Sequence, residues 1–270
     1  MTTCKVIVNK DSGNCDKLNL PAVLDLFRGK NVVIEEIDGN CDWNASDVDE
    51  VVVCGGDGTL YNALNKCADK QLYYVPCGTL NEASVLGDTI DTVGCVDNKV
   101  FGYVCATGSF TEIGYDTKCS KKRRLKCLAY LLQVFKWYTS RNVKAVVDVD
   151  GKDMSGRYTL LMAIKSKTCF GFRFNKMYDK KPQLYLLGIR SCGDDCLLTR
   201  AAMFFPFFRV FFCGVRRPTE NKRWFMLPVN HVKITFDEVQ DWCVDGEKFT
   251  SDKVVELSCR ACKQVKVLKF

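Results

Sequence analysis

Histidine is almost missing from this chain: His231 stands alone among 270 residues. A Ser-His-Asp or Cys-His hydrolase would have to be built on that one imidazole. No nucleophile stands near it in the sequence, so this chemistry is set aside. Long apolar runs are missing too. The longest, Ala201 to Phe208 and on through Val210-Phe211-Phe212, is broken by Pro206 and Arg209, and falls short of the roughly 20 residues that cross a bilayer. Near the front, Val6-Ile7-Val8 has none of the length of a signal peptide's apolar region. There is no internal repeat, low-complexity tract or linker. With 47% hydrophobic and 26% charged residues, what is left is a globular protein, and disorder, collagen and coiled coil are excluded.

Cysteine is plentiful by contrast, at 17 residues, yet about 6% lies below the roughly 8–10% of a disulfide scaffold. The odd number cannot pair completely within one chain. The expected state is reduced thiols in a cytoplasm. Cys259 with Cys262 and Cys192 with Cys196 have spacings seen at zinc sites, but no ligand pairs flank a shared turn, which favours buried or idle thiols. Lys and Arg at 39 against Asp and Glu at 32 give a net charge of +7. That favours an anionic partner, whether nucleotide, acidic membrane surface or nucleic acid, and charge alone does not choose among them.

The length fits one large domain or two ordinary ones. Over the first ninety residues strand and helix signals alternate: Lys5–Asn9, Asn31–Ile37, Val51–Val53 and Leu72–Val75 read as strands, Leu20–Phe27 and Leu60–Cys67 as helices. Continuous apolar strands separated by helices predict a parallel sheet covered on both faces. The link between Ile37 and Glu50 is thin for a crossover helix. Beyond Asp91 the segments Lys99–Thr107, Val143–Asp150, Tyr158–Lys165, Leu184–Ile189, Val232–Phe236 and Val254–Leu257 read as strands. Helices are expected at Leu125–Tyr138 and around Leu197–Phe211. The expectation is an α/β domain over residues 1–92 and an antiparallel β domain over 93–270, whose last residues pack back on the first.

Val51-Val52-Val53-Cys54-Gly55-Gly56-Asp57-Gly58-Thr59-Leu60 is the sharpest local signal. Glycines after a buried strand let the main chain approach a ligand closely, and a following helix offers free N–H groups to phosphate. Asp57 would repel phosphate unless a cation stood between them, so the loop points to a metal–nucleotide site. An ordinary strand-to-helix turn uses the same letters. A second polar loop, Pro76-Cys77-Gly78-Thr79-Leu80-Asn81-Glu82, and a third, Asn9-Lys10-Asp11-Ser12-Gly13, also follow strands. In a parallel sheet all three fall on the carboxyl edge, where ligands bind. Asp245-Gly246-Glu247, taken by itself, reads as a hairpin turn.

In that order the four motifs resemble the diacylglycerol kinase catalytic family, which includes bacterial diacylglycerol kinases, sphingosine kinases and ceramide kinases. The resemblance also takes in Leu125–Tyr130 and the Phe-rich segment before Gly214. It implies a nucleotide-binding α/β domain and a β-sandwich domain with the active site in the cleft between them. It implies ATP at Asn9, Ser12, Gly55, Gly56, Asp57, Gly58, Thr59, Gly78, Thr79 and Asn81, with Asp57 reaching Mg2+ through water. Asp245 would take the proton of a lipid hydroxyl, and Glu247 would stand beside it as acid/base partner or metal contact. Asp179–Leu184 is the nearest counterpart of a segment that holds a structural magnesium, which makes Asp179 a metal candidate.

Four features depart from the family pattern: Lys10 replaces proline, Asn62 replaces glutamate, Glu82 replaces aspartate, and the 37–50 link is short. The expected activity is ATP-dependent phosphorylation of a diacylglycerol-like lipid, by a cytoplasmic protein peripherally attached to an anionic membrane, without nucleic acid and with a homodimer admitted. An NAD kinase-like enzyme and a catalytically degenerate lipid- or nucleotide-binding protein are the alternatives. The Lys118, Lys121, Lys122, Arg123, Arg124 and Lys126 cluster reads either as a solvated helix start or as a contact to an anionic leaflet. Met203-Phe204-Phe205 and Phe207-Phe208 read as core or, if exposed, as a lipid-access lip beside Arg209, Arg216 and Arg217.

Overall fold

The computed structural model describes residues 2–39, 42–67, 69–79, 81–109, 111, 142–169, 171–179, 181, 183–194 and 197–269, with the main chain alone at 85, 86, 197, 200 and 201. The basic cluster at 118–126 and the helix expected at Leu125–Tyr138 lie outside these residues. Contacts divide the chain into two units, Met1–Thr92 with Ala261–Phe270, and Val93–Arg260.

The first unit is built on parallel strands. In chain order these are β1 (Thr3–Asn9), β2 (Asn31–Ile37), β3 (Glu50–Gly55) and β4 (Gln71–Pro76). β1 lies between β2 and β3, and β3 between β1 and β4. Val6, Ile7 and all of Val51–Cys54 are buried, as strands covered on both faces require. The helix α1 (Leu20–Asp25) is started by Asn19, whose side-chain oxygen accepts from the N–H of Ala22 at 3.2 Å, with Pro21 in the first turn. It buries Val23, which packs with Phe27 onto Val6, Val8 and Val52. α2 (Asp57–Lys66) buries Leu60, Tyr61, Ala63 and Leu64. Between β2 and β3 the described residues contain no helix. The link instead tucks in Trp43, Ala45 and Val48, an irregular cover in place of the crossover helix its length does not allow.

Most of the second unit is antiparallel β. Its strands are β5 (Thr89–Val96), which begins in the first unit, β6 (Lys99–Phe101), β7 (Val104–Gly108), β8 (Val143–Val149), β9 (Lys152–Asp153), β10 (Gly156–Ile164), β11 (Leu184–Arg190), β12 (Thr219–Glu220), β13 (Trp224–Val229), β14 (His231–Phe236), β15 (Gln240–Val244) and β16 (Glu247–Ser251). β17 (Val254–Val267) closes the chain: Val254–Ser258 pairs with β14, and Val265–Val267 runs parallel to β4 in the first unit's sheet. β10 changes partner along its length. Gly156–Tyr158 pairs with β8 and Leu160–Ile164 with β7, and the register shifts between Tyr158 and Leu160. α3 (Leu197–Phe211) lies in this unit and carries Pro206 inside it. The architecture is therefore β-rich, mixed parallel and antiparallel, with few helices. The segment Lys99–Thr107, expected as one strand, is two, because the chain breaks at Gly102 for a reason the next subsection supplies.

Candidate phosphate-binding loops and a buried carboxylate

Parallel register aligns the ends of the front strands. Val8 is opposite Cys54, Cys54 opposite Val75, and Gly55 opposite Pro76. The three polar loops therefore leave the sheet side by side, and their side chains tie them together. Asn9, buried, donates from Nδ2 to Thr59 Oγ1 at 2.9 Å and to the carbonyl of Gly39 at 3.2 Å, while its Oδ1 accepts from the N–H of Asp11 at 3.0 Å. Asn14 donates from Nδ2 to the carbonyl of Gly78 at 2.6 Å, and its N–H reaches the carbonyl of Cys77 at 2.7 Å. Asn81 closes the turn it sits in: its Oδ1 accepts from the N–H of Gly78 at 2.6 Å and its Nδ2 donates to the carbonyl of Gly78 at 2.8 Å.

Glycine is required by crowding at two of these positions. A Cβ on Gly78 would lie 2.7 Å from the Cα of Gly56, and one on Gly55 would lie 2.4 Å from Thr59 Oγ1. The loops touch main chain to main chain. Gly56 is the N-cap of α2, so the N–H groups of Asp57, Gly58 and Thr59 belong to a helix first turn, where no intrahelical carbonyl can serve them. The positive end of the helix dipole adds to their preference for an anion.

Asp57 has a second occupation. Its Oδ2 accepts from the N–H of Glu82 and its Oδ1 from the N–H of Ala83, each at 3.0 Å, so it caps the short 3₁₀ turn Glu82–Leu86. By the resemblance this carboxylate would also reach magnesium through water. Among the described residues no group of three His, Cys, Asp or Glu side chains could hold a metal ion. The donor set thus fits an ion that arrives with phosphate oxygens and its own waters, the usual habit of Mg2+.

The other expected site residues divide. Thr79 is exposed, its hydroxyl beside Gly13, and Ser12 is half-buried. Thr59 is buried against Asn9, and Asn9 and Asn81 spend their polar atoms on the loops themselves. In the second unit, Asp179 pairs with Lys181 at 3.0 Å and accepts from Tyr185 Oη at 3.4 Å. The bonded Lys181 ammonium holds the Asp179 carboxyl below its ordinary range. The Lys181 ammonium would have to leave Asp179 before a divalent ion could take this carboxylate, and no metal role is derived for it.

Asp245 and Gly246 have φ of 49° and 93° and join β15 to β16. This is a two-residue hairpin of the kind that Asp-Gly favours. The carboxylate is 3% exposed. Its Oδ1 accepts from the N–H groups of Tyr103 at 3.0 Å and Val104 at 2.9 Å, and its Oδ2 accepts from that of Gly102. The Asp245 N–H in turn donates to the carbonyl of Val104 at 2.9 Å. This clamp explains the break between β6 and β7: the main chain at Gly102–Val104 turns its donors onto a carboxylate. Glu247 is half-buried at the start of β16, opposite Val244. Sequence reasoning missed Asn14 and the capping role of Asp57. The signal available for Asn14 was its place directly after the first loop.

Residues 3–88 match the family model of the diacylglycerol kinase catalytic domain. Diacylglycerol kinases of Staphylococcus aureus strains JH9 and Newman are 26% identical to this chain over segments that cover 46% of it and 46% of their own length. The chain thus matches less than half the length of these curated relatives. A solved diacylglycerol kinase structure from Bacillus anthracis str. Sterne has a TM-score of 0.67 at 16% identity, covering 98% of this chain and 96% of that one. A further solved chain from that strain gives a TM-score of 0.72, also at 16% identity, with the same coverage. At such identity the likeness speaks for the fold.

Proposed function

We propose, on the premise that residues 3–88 belong to the diacylglycerol kinase catalytic family, that this chain is an ATP-dependent lipid kinase acting on a hydroxyl of a diacylglycerol-like lipid. The observation that carries the reading is the joined edge of three loops, with Gly56 touching Gly78 and the first turn of α2 starting from that edge. Phosphoryl transfer asks the protein mainly for alignment and charge neutralisation. The N–H groups of Gly58 and Thr59 would hold phosphate oxygens, and the hydroxyls of Thr79 and Ser12 would orient them. Asn9, Asn14 and Asn81 keep the loops in register. A magnesium ion brought by the triphosphate would supply the remaining positive charge, held at Asp57 through water.

The second unit, in this reading a β-sandwich that receives the lipid, would supply the carboxylates. Glu247 is the more open of the pair. Asp245 would act as base through whatever lone pair its main-chain bonds leave, with the clamp fixing its direction. The experiment is transfer of labelled phosphate from ATP to a panel of lipids, with NAD beside them. Phosphorylation of a diacylglycerol supports the reading, and turnover of NAD without any lipid overturns it in favour of an NAD kinase-like enzyme.

The clamped carboxylates favour one further reading, a nucleotide- or lipid-binding protein without catalysis. Saturable ATP binding with no transfer to any lipid, at enzyme levels comparable to substrate, would select it.

A further inference from the structure

One face of α3 does not behave as core. At 100° per residue Leu198, Phe205, Phe208 and Phe212 fall on a single stripe, and they are 81%, 66%, 45% and 47% exposed. Met203 and Val210, on the opposite side of the helix, are fully buried. The stripe is ordered: the Phe208 and Phe212 rings stack at 5.0 Å with 16° between their planes, and Phe204 stacks on Phe208 at 5.7 Å. The N–H of Phe212 bonds to the carbonyl of Phe208 at 3.0 Å, so the helical pitch continues through it. A row of phenylalanines open to solvent is the feature that marks an interaction surface.

Cations follow directly along the chain. Arg209, Arg216 and Arg217 line a recess of about 930 Å³ together with Cys213, Thr219 and Glu220. Glu220 is neutralised by Lys152 at 2.5 Å, and none of the three arginines forms an ion pair among the described residues. Arg209 is fixed by a bond of 2.7 Å from a guanidinium nitrogen to the carbonyl of Gly214, and it stands 5.9 Å from the Trp224 ring.

We propose that the exposed stripe of α3 and the arginine recess after it form a docking surface for an anionic bilayer, with the phenylalanines entering the acyl boundary and the arginines receiving phosphate headgroups. The charge selects this occupant. A second copy seated on this face would bury arginines that have no ion-pair partner among the described residues, a desolvation cost that the phosphates of a bilayer would offset. Single-stranded nucleic acid needs open ring faces on which bases stack, and here successive rings cover one another. An amphipathic helix with aromatic residues on one side and arginines at its rim has the form of an interfacial anchor. The surface deepens the lipid-kinase reading by naming how such an enzyme reaches its substrate, but its geometry stands without it.

The experiment is co-sedimentation of the full chain, without nucleotide, with vesicles of phosphatidylcholine alone or mixed with phosphatidylglycerol. Binding to the mixed vesicles that weakens with salt is expected. Arg216→Ala with Arg217→Ala should lower it about twenty-fivefold, at about fivefold for each basic residue. Phe205→Ser with Phe208→Ser should lower it at least about a hundredfold. Phe212→Ser serves as a second test if that pair fails to fold by circular dichroism. Transfer of phosphate to a short-chain, water-soluble diacylglycerol should be unchanged in all three, which separates the surface from the kinase reading. If vesicle binding follows the substitutions while no variant or wild type phosphorylates lipid, the kinase reading fails and the surface stands. The proposal is overturned by equal vesicle binding of wild type and variants, by tighter binding of a single-stranded oligonucleotide than of vesicles, or by a dimer that the phenylalanine substitutions dissociate.

Discussion

Asp57 and Asp245 are the acidic residues of the two motifs that carry the kinase resemblance, and both hold main chain rather than standing free. Asp57 takes two N–H groups at a half-exposed loop, whereas Asp245 takes three and is buried. The difference teaches which one can do more than hold. A half-exposed carboxylate at a helix N-terminus is the more accessible to a ligand; a buried one is bound first to the integrity of its own strands. The comparison breaks most visibly at Asp245. Asp245→Ala leaves the donors of Gly102, Tyr103 and Val104 without acceptors, at about 1–3 kcal/mol for each buried group. Chemical denaturation should show a loss of at least about 3 kcal/mol. Asp245→Asn keeps one oxygen but points an amide N–H at a main-chain donor, so it too should destabilise, and a loss of activity in it would not by itself identify a base. Stability equal to wild type in either variant would mean the clamp does not hold β7. Glu247 is less buried than Asp245, and a changed pH profile of transfer in Glu247→Gln, with its denaturation midpoint unchanged, would report on proton transfer.

The thiols offer a second contrast, between buried and exposed positions. Behind the front loops burial pushes Cys4 and Cys77 up to about 11 and raises Cys54 further, as it raises Cys105 in the second unit, while Cys192 and Cys213 are exposed. Well below pH 9 these buried thiols are protonated folded or unfolded, so stability owes nothing to their burial. As pH rises from 9 toward 11 the unfolded chain gives up these protons and the folded chain keeps them, so stability falls. Two pH units at 1.36 kcal/mol each amount to about 2.7 kcal/mol per thiol. Denaturation midpoints followed through that range should drop, and Cys77→Ala should drop less steeply; a flat profile would show the thiols are not sealed.

Asp57→Asn should have a smaller effect on stability. One of two accepted main-chain bonds is lost at a partly solvated site, so about 1 kcal/mol is expected. Transfer should fall far more than stability does, because the charge that would meet a hydrated cation is gone. Parallel loss of both would reduce Asp57 to a cap and erase its distinction from Asp245.

Much of the front unit was legible because its central strands, β1 and β3, are buried on both faces and so appear as apolar runs. Val51–Val53 is a strand in the sequence and lies inside one in the fold. The start of α2 was misjudged at Leu60 rather than Asp57, since the cap lies inside the glycine loop. In the second unit the strand segments that escaped notice include two with broken patterns. Trp224–Val229 contains Pro228, and β17 continues from Leu257 through Cys259, Arg260 and Lys263 to Val267, where polar residues interrupt the apolar signal. The split at Gly102 could not be read locally, because its cause is a carboxylate at Asp245. Among the site residues, the loops' order was legible and their internal bonds were not. Asn9 and Asn81 look like ligand contacts in sequence, but their amides are engaged with Thr59 and Gly78.

Lys10, the first departure from the family pattern, offers the smallest effect and the finest test of the same contrast between side chain and main chain. Its ammonium pairs with Glu36 at an exposed position, and that pairing raises its pKa. Exposed pairs of this kind contribute little, so Lys10→Ala should leave the denaturation midpoint where it is. Its N–H, however, donates to the carbonyl of Ile37 at 2.9 Å, extending the β1–β2 pairing by one residue. Proline, the family's residue, has no N–H to give. Lys10→Pro should therefore cost about 1 kcal/mol for that lost main-chain bond, while Lys10→Ala costs none. If the two variants behave alike, the bond to Ile37 has no weight, and the departure at position 10 has no structural reason in the first loop.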